Sequence, residues 1–401
     1  MNKNVPAGWS LNPLNHYVKD FIVPMRDKPK VFAGNTPWCR IEDFEGKFLS
    51  ESKTKQAVDE LTIKEMNLKV MPIGTVLCSC SATLGITAIV NHPLVTNQTF
   101  IGLVCDNSKL FNEYLYYKLN FDKAKLQNES AGTTIAYLSR EKFEDFEVLI
   151  PDTLKEQKKI AEILTSVDRV IELTSQEIDK LKDLKKGMMQ ELLTKGIGHT
   201  KFKDSSVGKI PESWEELELS FILNLVNGRG FKPQEWKTKG IPIIRIQNIN
   251  GSNDFNYYDG EYDPKIEINK NDLLFAWSGS RGTSFGPAIW LKGKGLLNYH
   301  TWKVIPKLEK VSSSFLLHLL RHITSRIEND AHGGSGLVHM QKWAMEEYRI
   351  GLPGLIEQDK ISTVLSFIDE QIQKTVKKCE KIKTLKKGLM NDLLTGKVRV
   401  K

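Results

Sequence analysis

Two stretches of the chain repeat apolar residues at helical spacing over an unusual length. Ile160, Leu164, Val167, Ile171, Thr174, Ile178, Leu181, Leu184, Met188 and Leu192 recur at steps of three and four, the seam of a helix that pairs with another helix, with one skipped step near Leu184. Ile361, Leu365, Ile368, Ile372, Thr375, Cys379, Ile382, Leu385, Leu389 and Leu393 hold the same positions 201 residues later. Each pattern starts just after a proline, Pro151 or Pro353, and carries a glycine late. About 40 residues at 1.5 Å each predict a rod of about 60 Å. Such a rod, charged over most of its circumference, cannot bury its seam alone. A lone stripe would pack on its own domain; two copies with one seam favour an antiparallel pair in which both find a partner.

The remaining segments have shorter periods. "FEVLI", "TFIGLV", "DLLFAW" and "WKVIP" are apolar runs of strand length, broken by Gly, Asn, Ser and Pro at turn positions. "LFNEYLYYKL" and "SSFLLHLLRHI" predict short helices. These runs describe an α+β domain of roughly 150 residues, made twice. Set against each other without a gap, Leu154 to Ile197 and Leu355 to Val398 are identical at 19 of 44 pairs, and a repeat of this kind decides the architecture. More loosely, Pro6 and Trp9 match Pro211 and Trp214, and "TPWCRI" at 36–41 matches "IPIIRI" at 241–246. The expected order is a domain over 1–150, a helix over 151–197, a domain over 198–352 and a helix over 353–401.

Composition narrows the class. A chain of 401 residues exceeds one hydrophobic core, and 40% hydrophobic with 26% charged residues is an ordinary globular balance. A formal charge of +8 favours an anionic partner. Five cysteines, an odd and scattered number, suit a reducing compartment better than a disulfide framework. The opening "MNKNVPAGWS" lacks a signal-peptide pattern, and no run of eighteen apolar residues exists to span a bilayer. The expectation is a cytoplasmic protein with no membrane partner.

Catalytic signatures are missing. No stretch supplies G-x-x-x-x-G-K-[ST], and "GGSG" at 333–336 and "GKG" at 293–295 lack the strand-then-helix frame of a dinucleotide site. The methyl-donor pocket and Asn/Asp-Pro-Pro-aromatic motif of adenine methyltransferases are not visible. Acidic residues in "PDTLKEQK" sit where they complement a helix dipole, a better account than a nuclease site. Cys78 and Cys80 have no zinc-spaced companions and suit buried small hydrophobes, and no histidine frame suggests a metal.

Both halves do carry polar, glycine-containing loops bearing residues that read DNA. In the second half, "NGRGFK", "RIQNIN", "WSGSRGTS", "NYHT" and "HGGSG" supply Arg229, Lys232, Arg245, Gln247, Asn248, Ser280, Arg281, Thr283, Asn298 and His300. The first half offers Arg40, Glu42, Ser79, Ser81, Thr83, Asn97, Gln98, Thr133 and Thr134. Arginine suits guanine, and Asn or Gln suits adenine. Any one of these is an ordinary solvated loop residue; their parallel placement in both domains singles out the group.

Together these features resemble the specificity subunit of type I restriction-modification systems, over essentially the whole chain. The resemblance rests on the two like helices ending "LKKGMMQELLTKG" and "LKKGLMNDLLTGK", and on "LIP" and "GLP" leading into "EQ". It implies two target-recognition domains separated by an antiparallel two-helix coiled coil with internal pseudo-two-fold symmetry. Each domain would read half of a bipartite double-stranded DNA site, and the helices would set the unread gap. The chain itself would have no catalytic centre and bind no cofactor. Two methyltransferase subunits would bring S-adenosylmethionine, and two restriction subunits would bring ATP- and Mg-dependent cleavage. Lys182, Lys185 and Lys186 in one helix and Lys383, Lys386 and Lys387 in the other are expected on exposed faces, where they would contact the methyltransferase, contact DNA, or simply be solvated. Two other readings stay open: an enzyme with an unfamiliar site, and a structural protein joining two protein-binding domains.

Overall fold

The computed structural model describes residues 5–81, 83–129, 137–330 and 336–400. The chain divides into two compact units, one of Met1–Ser175 with Lys377–Lys401 and one of Gln176–Val376. The fold is mixed α+β, and the two units repeat one topology.

In unit 1 a five-stranded sheet runs in the order Val18–Ile22, Phe100–Cys105, Val76–Ser79, Thr87–Val90, Phe48–Leu49. Val76–Ser79 and Thr87–Val90 are buried at every position, which is why they read as continuous apolar runs rather than alternating ones. A four-stranded sheet runs Ala57–Val58, Thr36–Cys39, Leu94–Thr96, Val70–Met71. Unit 2 has a counterpart of each, the first with four strands instead of five. One sheet is Leu223–Asn227, Thr301–Pro306, Leu273–Ala276, Gly286–Ile289, and the other is Asn256–Tyr258, Ile241–Ile244, Gly295–Leu297, Glu267–Ile268. The strand before each long helix, Glu147–Pro151 or Arg349–Leu352, closes on a strand near the unit's start, Trp9–Pro13 or Glu215–Glu218; in unit 2 a hairpin of Phe202–Ser205 and Gly208–Pro211 comes before it.

The long helices are Leu154–Lys195 and Leu355–Leu394. Past their ends Gly196 (φ 67°) and Gly396 (φ 72°) take the left-handed conformation that glycine adopts without a Cβ penalty. Within unit 1, segments of both helices run antiparallel. Asp168 pairs with Lys386 at 2.6 Å, and nearer the start of the first helix Glu156 pairs with Arg399 at 2.7 Å. Unit 2 repeats this with Lys185 to Asp369 at 2.5 Å and Glu357 to His199 at 2.8 Å. Both helices enter both cores: Ile160, Leu164, Leu393 and Leu394 in unit 1, Met189, Leu192, Ile361 and Leu365 in unit 2.

One expectation about the seam is corrected. Leu184 and Leu385 are 51% and 58% exposed, and Lys185 and Lys386 take the step instead, half-buried against Asp369 and Asp168. With lysine included the three-four spacing is unbroken and no step is skipped. A search for apolar residues alone passes over a lysine whose charge is met by the facing helix. For the same reason these two lysines do not lie on an exposed face; Lys182, Lys186, Lys383 and Lys387 do.

Candidate nucleic-acid interface

The site begins where two parallel strands end together. In unit 1 Thr36–Cys39 lies parallel to Leu94–Thr96, with Cys39 opposite Thr96. In unit 2 Ile241–Ile244 lies parallel to Gly295–Leu297, with Ile244 opposite Leu297. The residues leaving these ends are therefore neighbours: Arg40 and Asn97 in one unit, Arg245 and Asn298 in the other. A short helical turn follows each arginine, Ile41–Asp43 or Ile246–Ile249. Its geometry is fixed by a cap, the Arg40 amide donating to Asp43 Oδ2 (2.6 Å) and the Arg245 amide to Asn248 Oδ1 (3.0 Å).

The cap removes one candidate. Asn248 is 1% exposed, and its Nδ2 donates to the Asp254 and Ser252 carbonyls. It builds the turn and has no free edge for a base. Ser79 is corrected likewise: it is fully buried, donates to the Thr83 carbonyl at 2.6 Å and accepts from the Ile86 amide at 2.8 Å. Between arginine and cap the side chains of Glu42 and Gln247 are exposed.

In unit 2 Arg245, Ile246, Gln247, Asn298, His300 and Thr301 line a pocket of about 200 Å³. Arg245 Nε and Thr301 Oγ1 are buried there without protein hydrogen-bond partners, a state that native interiors avoid unless water or a ligand satisfies it. The Arg245 guanidinium stands 5.3 Å over the Trp236 ring. Asn298 Oδ1 accepts from the Tyr299 amide at 2.6 Å, which leaves its Nδ2 as the donor for a ligand. His300 packs against Tyr299 and Trp277, at 3.7 and 5.3 Å between ring centroids. Burial, then the neighbouring His339, lowers its pKa, so at neutral pH its ring offers one donor and one acceptor.

Arg229 adjoins this pocket through a bridge to Asn298, but its guanidinium pairs with Glu235 and sits over Phe231 and Tyr258. Lys232 is exposed, its amide donating to Glu235. Ser280, Arg281 and Thr283 form a separate exposed turn. It is held by the Arg281 amide on the Gly336 carbonyl (2.9 Å) and the Gly282 amide on Glu328 (2.7 Å).

In unit 1 Arg40 Nε lies 3.1 Å from Glu42 Oε1, an ion pair without hydrogen-bond geometry, since the same Nε has no hydrogen-bond partner. Asn97 accepts from Thr99 Oγ1 at 2.6 Å, and Gln98 is exposed. Ser81 bridges Tyr137, and Thr83 sits in an exposed turn. Thr133 and Thr134 lie outside the described residues. Aromatic rings flank these groups, Trp236 under Arg245 and Trp277 and Tyr299 against His300; their signal in the sequence is an aromatic beside each basic or polar loop, in "EWKTKG", "FAWSGS" and "NYHT".

All five cysteines are buried and free, and burial pushes up the thiols of Cys39, Cys78, Cys80 and Cys105, Cys39 and Cys105 to about 12. Among the described residues no group of His, Cys, Asp or Glu is placed to hold a metal ion, and no helix is long and apolar enough to cross a membrane.

Residues 24–183 and 211–384 each match the type I restriction modification DNA specificity domain. The chain belongs to this family. Among similar members of it, the type I restriction enzyme MjaVIII specificity subunit of Methanocaldococcus jannaschii is 31% identical over 320 residues, 77% of this chain and 75% of that one. The putative MjaX specificity subunit of the same organism is 28% identical over 99% of this chain and 95% of its own. Two solved structures share this chain's fold at low identity. The S subunit from M. genitalium has a TM-score of 0.55 and 14% identity, covering 98% of this chain and 97% of that one. A chain from a study of complex assembly and conformational transition in a type I R-M system has a TM-score of 0.64 and 15% identity, covering 98% of this chain and 100% of that one.

Proposed function

We propose that this specificity-family chain is the DNA-reading component of a type I restriction-modification complex, each unit reading half of a bipartite duplex site and the long helices setting the gap. The observation that carries the reading is one constellation met twice: an arginine and an asparagine leave adjacent parallel strands, with an exposed Glu42 or Gln247 beside them. These groups match base edges in the major groove, and the formal charge of +8 suits contact with phosphates.

The relatives are named specificity subunits of restriction enzymes, and on that footing the partners are two methyltransferase and two restriction subunits. S-adenosylmethionine, ATP and Mg belong to those subunits, and this chain contributes recognition without catalysis, in the cytoplasm where the DNA is. Lys182 and Lys186 are placed on the first helix as Lys383 and Lys387 are on the second, giving two like surfaces for two identical methyltransferase subunits. Charge reversal at these four should weaken complex assembly while leaving base preference intact; undiminished assembly would remove them from the docking surface.

DNA reading is tested on the chain assembled with its methyltransferase subunits. Affinity should fall steeply with salt. Arg245→Ala and Arg281→Ala should each cost about 1–3 kcal/mol on the preferred duplex and relax one position of the site. Unchanged base preference in both variants would reject these contacts.

A further inference from the structure

We infer that the residue two places after the strand-end arginine sets the base pair each unit accepts, Glu42 selecting a G·C pair in unit 1 and Gln247 an A·T pair in unit 2. The inference rests on the DNA-reading function proposed above and names the specificity of that same site.

The two positions have a common frame. Each is the second residue of a turn opened by an arginine at the end of one parallel strand and closed by a capping side chain, Asp43 or Asn248, that accepts from the arginine's own amide. Each has an asparagine, Asn97 or Asn298, at the end of the neighbouring strand. Both side chains are exposed, whereas the caps beside them are buried. Within this shared frame the group presented to a ligand changes from a carboxylate to a carboxamide.

That exchange alters what can be read. A carboxylate only accepts, whereas a carboxamide both donates and accepts. In unit 1 Arg40 Nε lies 3.1 Å from Glu42 Oε1, so the guanidinium and the carboxylate are neighbours. Side by side they complement a G·C pair, arginine donating to guanine O6 and N7 and the carboxylate accepting from the cytosine N4 amino group. The carboxylate also repels thymine O4, so it selects by exclusion as well as by attraction. In unit 2 Gln247 shares a pocket with Arg245, Asn298 and His300 and no carboxylate. Its carboxamide matches the N6 and N7 edge of adenine.

The test is selection of bound duplexes from a randomised library by the full chain assembled with its methyltransferase subunits, for the natural protein, Glu42→Gln and Gln247→Glu. Both substitutions keep side-chain shape at exposed positions. Glu42→Gln should lower the preference for one G·C pair by about 5- to 150-fold in one half-site and leave the other half unchanged. Gln247→Glu should do the same to one A·T pair in the opposite half, and Glu42→Ala should relax the same position as Glu42→Gln. Variants that enrich the natural motif at every position overturn the inference. So does an equal loss of affinity for all duplexes, which would place these side chains on phosphates. If the natural complex enriches no motif at all, the DNA-reading function fails first.

Discussion

Gln157 and Gln358 explain why the repeat is strict where each helix begins. Both are fully buried. Gln157 donates to the Lys109 and Pro151 carbonyls and accepts from the Phe111 amide, at 2.8–3.0 Å. Gln358 does the same with Lys310, Pro353 and Ser312, each at 2.9 Å. Each glutamine fastens its helix to the segment ahead of the domain helix. Leucine here would orphan three backbone groups at about 1–3 kcal/mol each. Gln157→Leu and Gln358→Leu should each lower stability to chemical denaturation by about 3 kcal/mol or more; a loss under about 0.5 kcal/mol would contradict the assignment. His318 and His322 give unit 2 an acid sensitivity. Burial first, then Arg321 for His318 and Arg326 for His322, lowers both from 6.5 to about 4. The unfolded chain therefore binds protons more readily between these values, so the stability the neutral rings confer is complete above pH 6.5 and drains as pH falls towards 4. Melting followed from pH 7.5 to 4.5 should fall less steeply in His322→Gln than in the natural protein. At this scale the sequence showed which side chains could read a base but not which were already engaged. Ser79 and Asn248 have the right chemistry, yet a turn and a cap consume it, and only the folded backbone reveals that.

The long helices were legible because a heptad needs nothing but spacing, and their lengths follow from proline before and glycine after. What spacing hid was the role of Lys185 and Lys386, since a charged residue in a seam is interpretable only with its partner. Asp369 accepts from Lys185 and from Arg321 at 2.9 Å, and Asp168 accepts from Lys386 and from the Tyr117 hydroxyl at 2.8 Å. Each aspartate thus ties its helix both to the facing helix and to its own unit's short helix. A polar pair at one seam step fixes register and orientation, because a slipped alignment strands the charges. A double-mutant cycle on Lys185 and Asp369 should return a coupling of about 0.5–3 kcal/mol; no coupling would deny the pair this role. Seven residues added to both long helices, after Ser175 and after Val376, preserve the seam and add about 10 Å. The tolerated gap should lengthen by about three base pairs, with both half-sites unchanged. An unaltered gap would reject the helices as its determinant.

At the scale of the molecule, duplication was visible in the sequence, while the composition of each unit was not. The contact units cross the expected linear boundaries: unit 1 closes its core around Trp9 and Ile160 with Leu393 and Leu394 from the far end of the chain. A repeat reveals what is made twice, but not which copy's helix end fills which core, because both ends offer the same leucines. The twin sites argue that two related readers act on two different half-sites, and one measurement addresses that directly. Methylated adenines should be mapped in genomic DNA from cells carrying the complete system. The account predicts one bipartite motif, two unlike half-sites separated by a fixed gap, that vanishes when this chain is deleted. A single uninterrupted motif, or an unchanged pattern after deletion, would contradict it.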